Sequence, residues 1–240
     1  MSGGSLLSND LRSAVSNMFP PGINLITNWG MTEATCEATQ FPLHEIDTEA
    51  SVGRLMPNMS AKVIDTTGGE LGKNEMGELC IKGPNVSRGY FNNPTATADA
   101  FTPDGFFKTG DIAIVGDDEK VFIKGRYKEL IKYKSNQVPP VELESVILTV
   151  PGVQDVGVIG VPQGDGNELP RAYVVRDSSN ETCTAEAIEG KIKSTLANHK
   201  WLRGGVRWVD EIPRNTIGKI DRKIIKTWCE GEAPILKANL

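Results

Sequence analysis

Apolar residues in the first half of the chain fall into short runs that glycine, proline and polar residues interrupt. Such runs predict β-strands when turn-forming residues bound them. The predicted strands are Ala61–Asp65, Glu78–Lys82, Ile112–Val115 and Val121–Ile123. Short strands with turns between them predict a sheet or a small barrel-like subdomain. Ahead of them, residues 8–19 predict an amphipathic helix with Ser8 as its N-cap.

The second half of the chain alternates between helical and strand-like patterns. Pro140 is placed to open a helix over residues 140–147, and Thr184 to open another whose apolar face we extend to His199. Asp221 can cap a final helix. Strands are predicted at Val156–Val161, Ala172–Val175 and Val206–Val209. Interleaved helices and strands of this kind predict a compact α+β unit. We place the boundary between the halves in the polar stretch 124–128, which gives domains of residues 1–124 and 125–240.

Composition and charge narrow the functional classes. The 240 residues are 39% hydrophobic and 24% charged, with a net charge of −5, which argues against broad nucleic-acid binding. No apolar run approaches the roughly 20 residues of a membrane span. The four cysteines are scattered and the N-terminus does not resemble a signal peptide, so we expect a cytoplasmic protein. The last residues, Ala238, Asn239 and Leu240, loosely resemble a peroxisomal address; a plain chain terminus is the alternative.

Two motifs in the first half carry candidate chemistry for a nucleotide. Thr32 and Glu33 follow Gly30, and a hydroxyl next to a carboxylate suits phosphate and Mg²⁺. The alternative is a plain helix start. Asp111 ends a glycine-containing stretch that begins at Asp104, and a carboxylate held on a tight glycine turn can accept hydrogen bonds from both ribose hydroxyls. The alternative is a β-turn whose aspartate bonds its own backbone.

Two further motifs are basic. The segment Lys124–Lys134 contains five basic residues, and a solvated basic strand is the alternative to a functional segment there. Lys219 directly follows Gly218 near the end of the chain. A flexible loop there could deliver a cation to a phosphate, or the lysine could simply be exposed on a turn.

The order of these motifs is more specific than any one of them. Thr-Glu is followed by GELCIKGPNVSRGYFNNPTAT, TGD, GRYKELIKYK with QVPPVELE, and GKIDRK. Together they resemble the adenylate-forming superfamily of acyl- and aryl-CoA ligases, luciferases and peptide-synthetase adenylation domains, over essentially the whole chain. The stretch KELIKYK with QVPPVELE is similar to the acyl/aryl-CoA ligase branch, which includes 4-coumarate–CoA ligases and luciferases.

The resemblance implies a two-step reaction. In this family a carboxylate attacks the α-phosphate of ATP, which gives an acyl-adenylate and pyrophosphate, and a thiol, usually coenzyme A, then displaces AMP. A small C-terminal lid domain rotates between the steps. The implied fold is α/β plus α+β: a partial large N-terminal domain with a sheet and a barrel-like subdomain, then a small α+β lid. The implied ligands are ATP or AMP, Mg²⁺, coenzyme A and a small carboxylic acid.

The resemblance also assigns residues to roles. Lys219 matches the lid lysine used in adenylation, and Lys132 matches a lysine on the other lid face that is used in thioester formation. Glu33 matches the Mg²⁺ ligand and Lys128 the hinge. Positions that match nucleotide contacts are Gly3, Gly4, Trp29, Gly30, Thr32, Asp111 and Arg126. Lys134 and Ser135 match the passage for the thiol arm of coenzyme A.

The sequence departs from the family pattern in two places. It contains no Ser/Thr/Gly-rich phosphate loop that ends in lysine, so we expect a C-terminal portion of such a ligase that is inactive or impaired alone. The alternative is a non-catalytic remnant that binds nucleotide or serves as an interaction module. Ser135 stands where relatives usually have glycine, and its side chain would narrow the thiol passage.

Overall fold

A computed structural model describes residues 15–20, 25, 27–42, 45, 49, 51–177, 183–216 and 218–230. Gly3, Gly4, most of the predicted helix at 8–19 and the terminal residues 238–240 lie outside the described part of the chain. The chain divides between Tyr127 and Lys128 into two compact units.

The first unit is built on an antiparallel sheet of five strands. In chain order the elements of this unit are β1 (Thr39–Gln40), β2 (Arg54–Leu55), β3 (Ser60–Ile64), β4 (Glu70–Leu71), β5 (Met76–Lys82), α1 (Pro94–Ala100), β6 (Phe107–Val115) and β7 (Val121–Arg126). The sheet has the order β4-β3-β5-β6-β7, while β1 and β2 form a separate antiparallel pair. Four strands predicted from apolar runs are confirmed, each extended or shifted by a few residues. Strand β7 continues through Arg126, so Gly125 and Arg126 belong to this sheet and not to the second unit.

One face of the sheet covers an apolar core. Leu79 and Ile81, two positions apart on β5, both lie fully buried in this core, as expected for residues on the same face of a strand. Burial of a side chain of this size contributes about 1.5–3 kcal/mol. The other buried members of this cluster are Trp29, Ala34, Ala38, Val52, Phe107, Ala113 and Val121. The core therefore attaches the segment around Trp29 to the sheet.

The helix α1 is an element that the apolar pattern does not predict. It has no buried side chain, so no hydrophobic stripe marks it in the sequence. Local chemistry explains it instead. The side chain of Asn93 accepts a hydrogen bond from the backbone N–H of Ala96, and Pro94 stands at the first helical position.

The second unit is an α+β unit, as predicted. Its elements are β8 (Ile131–Tyr133), β9 (Asn136–Val138), α2 (Pro140–Ile147), β10 (Val153–Pro162), β11 (Glu168–Arg176), α3 (Ala185–Thr195), β12 (Val206–Trp208) and α4 (Arg222–Thr227). Strands β10 and β11 pair antiparallel, β12 joins β11 in parallel, and β8 and β9 form a hairpin. Thr184 caps α3 and Asp221 caps α4 as expected, each through its side chain.

Both faces of the three-stranded sheet are covered. Ala172 and Val174 point to a large cluster that includes buried side chains of α2 and α3, while Tyr173 points to a smaller one with Ile212 and Ile225. Successive residues of a strand face opposite sides, so β11 contributes to both clusters. Because α4 covers the second face through Ile225, the position of the loop before α4 is tied to this core.

Two further observations concern the lengths of the helices. Helix α3 ends at Thr195, and His199 lies in a separate 3₁₀ turn, Asn198–Lys200, so the predicted helical face to His199 is wrong. Its backbone turns out of the helix at Leu196, which has extended dihedral angles. In the described part of the chain, no helix is long and apolar enough to cross a membrane.

Candidate functional site

Asp111 lies inside strand β6, beside a bulge. The register between β5 and β6 shifts between Glu78 and Cys80, and Gly110 takes a φ of 71° opposite this shift. The buried hydroxyl of Thr109 donates to the carbonyl oxygen of Leu79 at 2.7 Å and accepts from the N–H of Asp111 at 3.1 Å. Bulges redirect side chains at such positions. The expected glycine turn around Asp111 is therefore wrong: a bulged strand fixes the backbone of this residue.

The carboxylate of Asp111 is buried, and its partners include Trp29 and Arg126. Trp29 Nε1 donates to Oδ2 at 2.8 Å, and Arg126 Nε lies 2.7 Å from Oδ1. Arg126 is the cross-strand partner of Asp111 on β7. A buried charge is tolerated where it is paired and hydrogen-bonded, and an ionised carboxylate has about four acceptor positions in total. This arrangement brings three predicted nucleotide-binding residues together.

Trp29 has a structural role that the sequence did not indicate. The residue is 8% exposed and packs in the core of the first unit, and its indole N–H donates to Asp111. An isolated bridge to Thr39 fixes the backbone of Trp29. Stacking of this ring near adenine stays a prediction.

Thr32 and Glu33 open a 3₁₀ turn, Thr32–Ala34, that closes tightly on itself. A Cβ at Gly30 would lie 1.7 Å from the carbonyl oxygen of Cys36, so only glycine fits there. The side chain of Thr32 is exposed and that of Glu33 is half-buried. The turn thus presents a hydroxyl and a carboxylate from adjacent positions.

A second loop holds this turn in place. The side-chain amide of Asn85 donates to the carbonyl oxygens of Ala34 at 2.9 Å and Glu37 at 3.1 Å. The backbone N–H of Ser87 donates to the carbonyl oxygen of Glu33 at 2.7 Å. Backbone groups of the turn are therefore paired with a loop about 50 positions later in the sequence.

Tyr90 contacts Glu33 directly. Its hydroxyl donates to Glu33 Oε1 at 2.9 Å, and its own backbone N–H donates to Thr97 Oγ1 at 2.9 Å in α1. Burial raises the pKa of Tyr90, and the Glu33 carboxylate raises it further. Sequence reasoning missed this residue. Tyr90 lies within the recognised stretch GELCIKGPNVSRGYFNNPTAT, but nothing in that stretch indicates a contact between Tyr90 and Glu33.

The donor set around Glu33 is compatible with Mg²⁺ only if a ligand completes it. No group of three or more His, Cys, Asp or Glu side chains that could hold a metal occurs among the described residues. Mg²⁺ in nucleotide sites takes one or two carboxylates, with phosphates and water supplying the rest. A single half-buried carboxylate beside an exposed hydroxyl fits that pattern.

In the second unit, Lys132, Lys134 and Ser135 share the β8–β9 hairpin. The N–H of Lys132 donates to Glu168 Oε2 at 2.9 Å, and the N–H of Lys134 donates to Asn167 Oδ1 at 2.8 Å. Asn167, in the β10–β11 connection, and Glu168, the first residue of β11, thus bind backbone N–H groups of this hairpin through their side chains. Lys132, Lys134 and Ser135 are exposed. Lys134 takes the left-handed φ of 52°, whereas Ser135 does not lie in that region, so the backbone at Ser135 does not require glycine.

Lys219 lies in the loop that precedes α4. Its N–H donates to Asn215 Oδ1 at 3.0 Å, and its carbonyl oxygen accepts from Asn215 N at 2.8 Å. The side chain is exposed, and no salt bridge to its ammonium is found among the described residues. Lys128, the predicted hinge residue, is exposed in the 3₁₀ turn Tyr127–Glu129.

Comparison with known proteins gives consistent matches along the chain. The family model described as "AMP-binding enzyme" matches residues 1–91, and the model described as "AMP-binding enzyme C-terminal domain" matches residues 142–219. A putative acyl-coenzyme A synthetase of Emericella nidulans is 44% identical over 97% of this chain. A luciferin 4-monooxygenase of Luciola mingrelica is 44% identical over 94%, and a phenylacetyl-CoA ligase of Aspergillus niger is 40% identical over 93%.

Similarity extends to solved structures. The crystal structure of ATP-bound MatB from Rhodopseudomonas palustris is 35% identical, with a TM-score of 0.86 over 95% of this chain and 45% of that one. The chain spans 42%, 41% and 42% of the lengths of the three relatives above, in that order. The resemblance drawn from the motifs is confirmed, since its relatives include acyl-CoA ligases and luciferin 4-monooxygenases. Two models of one family match most of its length, and the chain therefore belongs to the family of AMP-binding enzymes.

Proposed function

We propose that these 240 residues supply part of the active site of an ATP-dependent carboxylic acid–CoA ligase. The observation that carries the proposal is the buried carboxylate of Asp111, held between Trp29 and Arg126 on a bulged strand. A rigid, charged acceptor of this kind suits the two adjacent hydroxyls of a ribose. We take the CoA-ligase chemistry from two relatives, the putative acyl-coenzyme A synthetase of Emericella nidulans and the phenylacetyl-CoA ligase of Aspergillus niger.

The first unit would bind and orient the nucleotide. Asp111 would accept hydrogen bonds from the ribose hydroxyls, and Arg126 would hold the carboxylate in place beside them. The Thr32 hydroxyl would donate a hydrogen bond to a phosphate oxygen. Glu33 would hold a nucleotide-bound magnesium ion, with Tyr90 fixing one of its oxygens. Bound magnesium neutralises charge on the phosphates during phosphoryl-group chemistry.

The second unit would contribute a lysine to each half-reaction. Lys219 would place its ammonium against the acid carboxylate and the α-phosphate, where negative charge develops as the acyl-adenylate forms. Lys132 would serve in thioester formation, on the hairpin that also carries Lys134 and Ser135. Residues near 124–128 would act as the hinge between these arrangements, with Lys128 within it.

Adenylation would also require a grip on the β- and γ-phosphates. The 240 residues contain no Ser/Thr/Gly-rich loop that ends in lysine. We therefore expect activity only when a further segment supplies that loop. The alternative function is a nucleotide-binding or interaction module without catalysis. It is favoured by the same feature, because Asp111 could hold a ribose without any phosphate loop.

Acid-dependent exchange of pyrophosphate into ATP tests the proposal. The matching segment of the Aspergillus niger phenylacetyl-CoA ligase is replaced by residues 1–240, and phenylacetate is the acid, as that protein's name indicates. The chimera should exchange pyrophosphate only when phenylacetate is present, and Asp111→Asn should reduce the rate at low ATP. A chimera that unfolds cooperatively, yet shows no exchange beside an active parent ligase, contradicts the proposal. Binding of AMP to the 240-residue chain in calorimetry, together with an inactive chimera, would favour the alternative.

A further inference from the structure

The loop that carries Lys219 is a short hairpin with a defined base. Arg214 and Ile220 form an antiparallel bridge, and the N–H of Asp221 donates to the carbonyl oxygen of Pro213 at 2.8 Å. Asn215 pairs with Lys219 through its backbone and its side chain. The base is thus fixed by backbone hydrogen bonds.

Gly218 stands near the tip of this hairpin. Gly218 takes a left-handed φ of 79°, and a Cβ added there would meet nothing within 4 Å. Its N–H donates to the carbonyl oxygen of Asn215 at 2.9 Å. Gly218 therefore adopts, directly before Lys219, a backbone conformation that other residues rarely take.

The side chain of Arg214 restrains the peptide group between Gly218 and Lys219. Its Nη1 donates to the carbonyl oxygen of Gly218 at 2.9 Å. Its Nη2 donates to both carboxylate oxygens of Asp155 on β10, at 2.9 and 2.8 Å. The planar guanidinium can bind two targets in fixed directions, which an ammonium cannot do. One side chain therefore connects a strand of the sheet to the peptide group that precedes Lys219.

The other end of the loop is held separately. Asp221 caps α4, and Arg222 at the start of α4 binds the buried carboxylate of Glu144 at 2.6 and 2.7 Å. That contact belongs to the folded core of the unit. The pair of Arg214 and Asp155 is more exposed, with side chains 44% and 30% accessible. Exposed ion pairs contribute little to global stability, so we expect loss of this pair to leave the unit folded.

We propose that Arg214, held by Asp155, is a positioning residue that orders the Gly218–Lys219 peptide and so directs Lys219. This inference rests on the proposed function only for the role of Lys219 in adenylation. The ordering of the peptide by Arg214 does not depend on that role. Loss of the contact should loosen the tip of the hairpin while the unit stays folded.

Amide hydrogen exchange of the ¹⁵N-labelled 240-residue chain, read by NMR, tests this proposal. Arg214→Gln and Asp155→Asn should each speed exchange of the Gly218 and Lys219 amides about tenfold, since local opening is controlled by local contacts. Arg207→Gln is the matched control, because Arg207 is an exposed arginine of the same unit, and among the described residues its guanidinium donates only to the adjacent carbonyl of Val206. Thermal unfolding should be unchanged in all three.

Three results would overturn the proposal. Exchange at Gly218 and Lys219 could remain as slow in Arg214→Gln as in the unchanged chain. Arg207→Gln could speed it equally. Every amide of the second unit could exchange faster together, which would indicate a general loss of stability.

A kinetic measurement on the ligase chimera separates this inference from the proposed function. Arg214→Gln should lower kcat for pyrophosphate exchange about tenfold with KM for ATP unchanged, since a misdirected cation reduces transition-state stabilisation. Faster amide exchange without any change in kcat would contradict the positioning role. An inactive chimera before mutation would contradict the proposed function alone, and amide exchange would still decide whether Arg214 orders the loop.

Discussion

The indole N–H of Trp29 donates a hydrogen bond to Oδ2 of Asp111 at 2.8 Å, across 82 positions of the sequence. The ring lies in the core of the first unit, while the carboxylate lies on β6 beside the bulge. Trp29 therefore links the turn that contains Thr32 and Glu33 to the strand that contains Asp111. Two groups proposed to hold a ribose and a magnesium-bound phosphate are fixed relative to one another by this bond.

Trp29→Phe should reduce the free energy of unfolding of the first unit by about 2–3 kcal/mol, because a buried ionised acceptor loses a donor and the smaller ring packs less well. Urea denaturation followed by circular dichroism measures the change. Trp208→Phe is the control, since Trp208 is 37% exposed on β12. Equal losses in the two variants would argue against a special contribution of the bond to Asp111.

Alkaline titration tests the contact between Tyr90 and Glu33. Burial and then Glu33 raise the pKa of Tyr90, so its phenol should ionise above the ordinary value of 10.0. Above pH 10 the unfolded chain loses a proton that the folded chain keeps, so stability falls as the pH rises through the folded pKa. Tyrosinate absorbance measures the ionisation, and Tyr90→Phe identifies the signal among four tyrosines.

Glu33→Gln should lower the pKa of Tyr90 but leave it above 10.0, because burial is the larger cause of the shift. A signal that does not move in Glu33→Gln would mean that the hydrogen bond is absent in solution.

The buried pair of Arg222 and Glu144 should control the stability of the second unit in a pH-dependent way. Arg222→Met leaves Glu144 buried without its main partner, which should cost about 3–5 kcal/mol at pH 7. Burial raises the pKa of Glu144 above 4.5 and Arg222 opposes this, so the variant should raise the pKa further. Stability of the variant should therefore decline as the pH rises through the range between 4.5 and that folded pKa, and recover as the pH falls.

Denaturant unfolding at pH 4 and pH 7 measures this effect. Glu144→Gln combined with Arg222→Met removes the titrating group and should abolish most of the pH dependence of the loss. A loss in Arg222→Met that is the same at both pH values would contradict the assignment to Glu144.

Ser135→Gly should accelerate thiol transfer in the ligase chimera if the Ser135 side chain narrows the passage for coenzyme A. Ser135 is exposed and its backbone is not left-handed, so the substitution relieves no strain and the effect must come from the side chain. We expect an increase of a few-fold in thioester formation from supplied acyl-adenylate, with pyrophosphate exchange unchanged. An unchanged rate of thioester formation would show that the serine does not obstruct the thiol.

Local patterns in the sequence were sufficient for most of the fold. Short apolar runs bounded by turn-forming residues located β5 and β6, and the residues Thr184 and Asp221 located the starts of α3 and α4, because these signals lie within a few residues of the element itself. Helix α1 was not predicted because none of its side chains is fully buried. The extension to His199 failed because the backbone leaves the helix at Leu196, although the apolar spacing continues.

The site was less predictable, because its contacts join distant parts of the chain. Motif order identified Asp111, Arg126 and Glu33 as candidates, but the bulge at Gly110 and the bond from Trp29 depend on how strands pair. Tyr90 and Glu33 are 57 positions apart, and no local spacing relates them. Arg214 and Asp155 are 59 positions apart, and their contact could not be predicted from local spacing either. Assignments of Gly3 and Gly4 fall outside the described residues.

The central claim is that this chain supplies one lysine to each half-reaction. Measuring the two half-reactions separately in lysine variants tests it most directly. In the ligase chimera, Lys219→Ala should lower phenylacetate-dependent pyrophosphate exchange by about a hundredfold or more, as loss of one electrostatic group in a closed site does. The same variant should form thioester from supplied acyl-adenylate at an unchanged rate, whereas Lys132→Ala should show the reverse pattern. Equal losses in both half-reactions for both lysines, or no loss in either, would contradict the proposal that this chain supplies one lysine to each step.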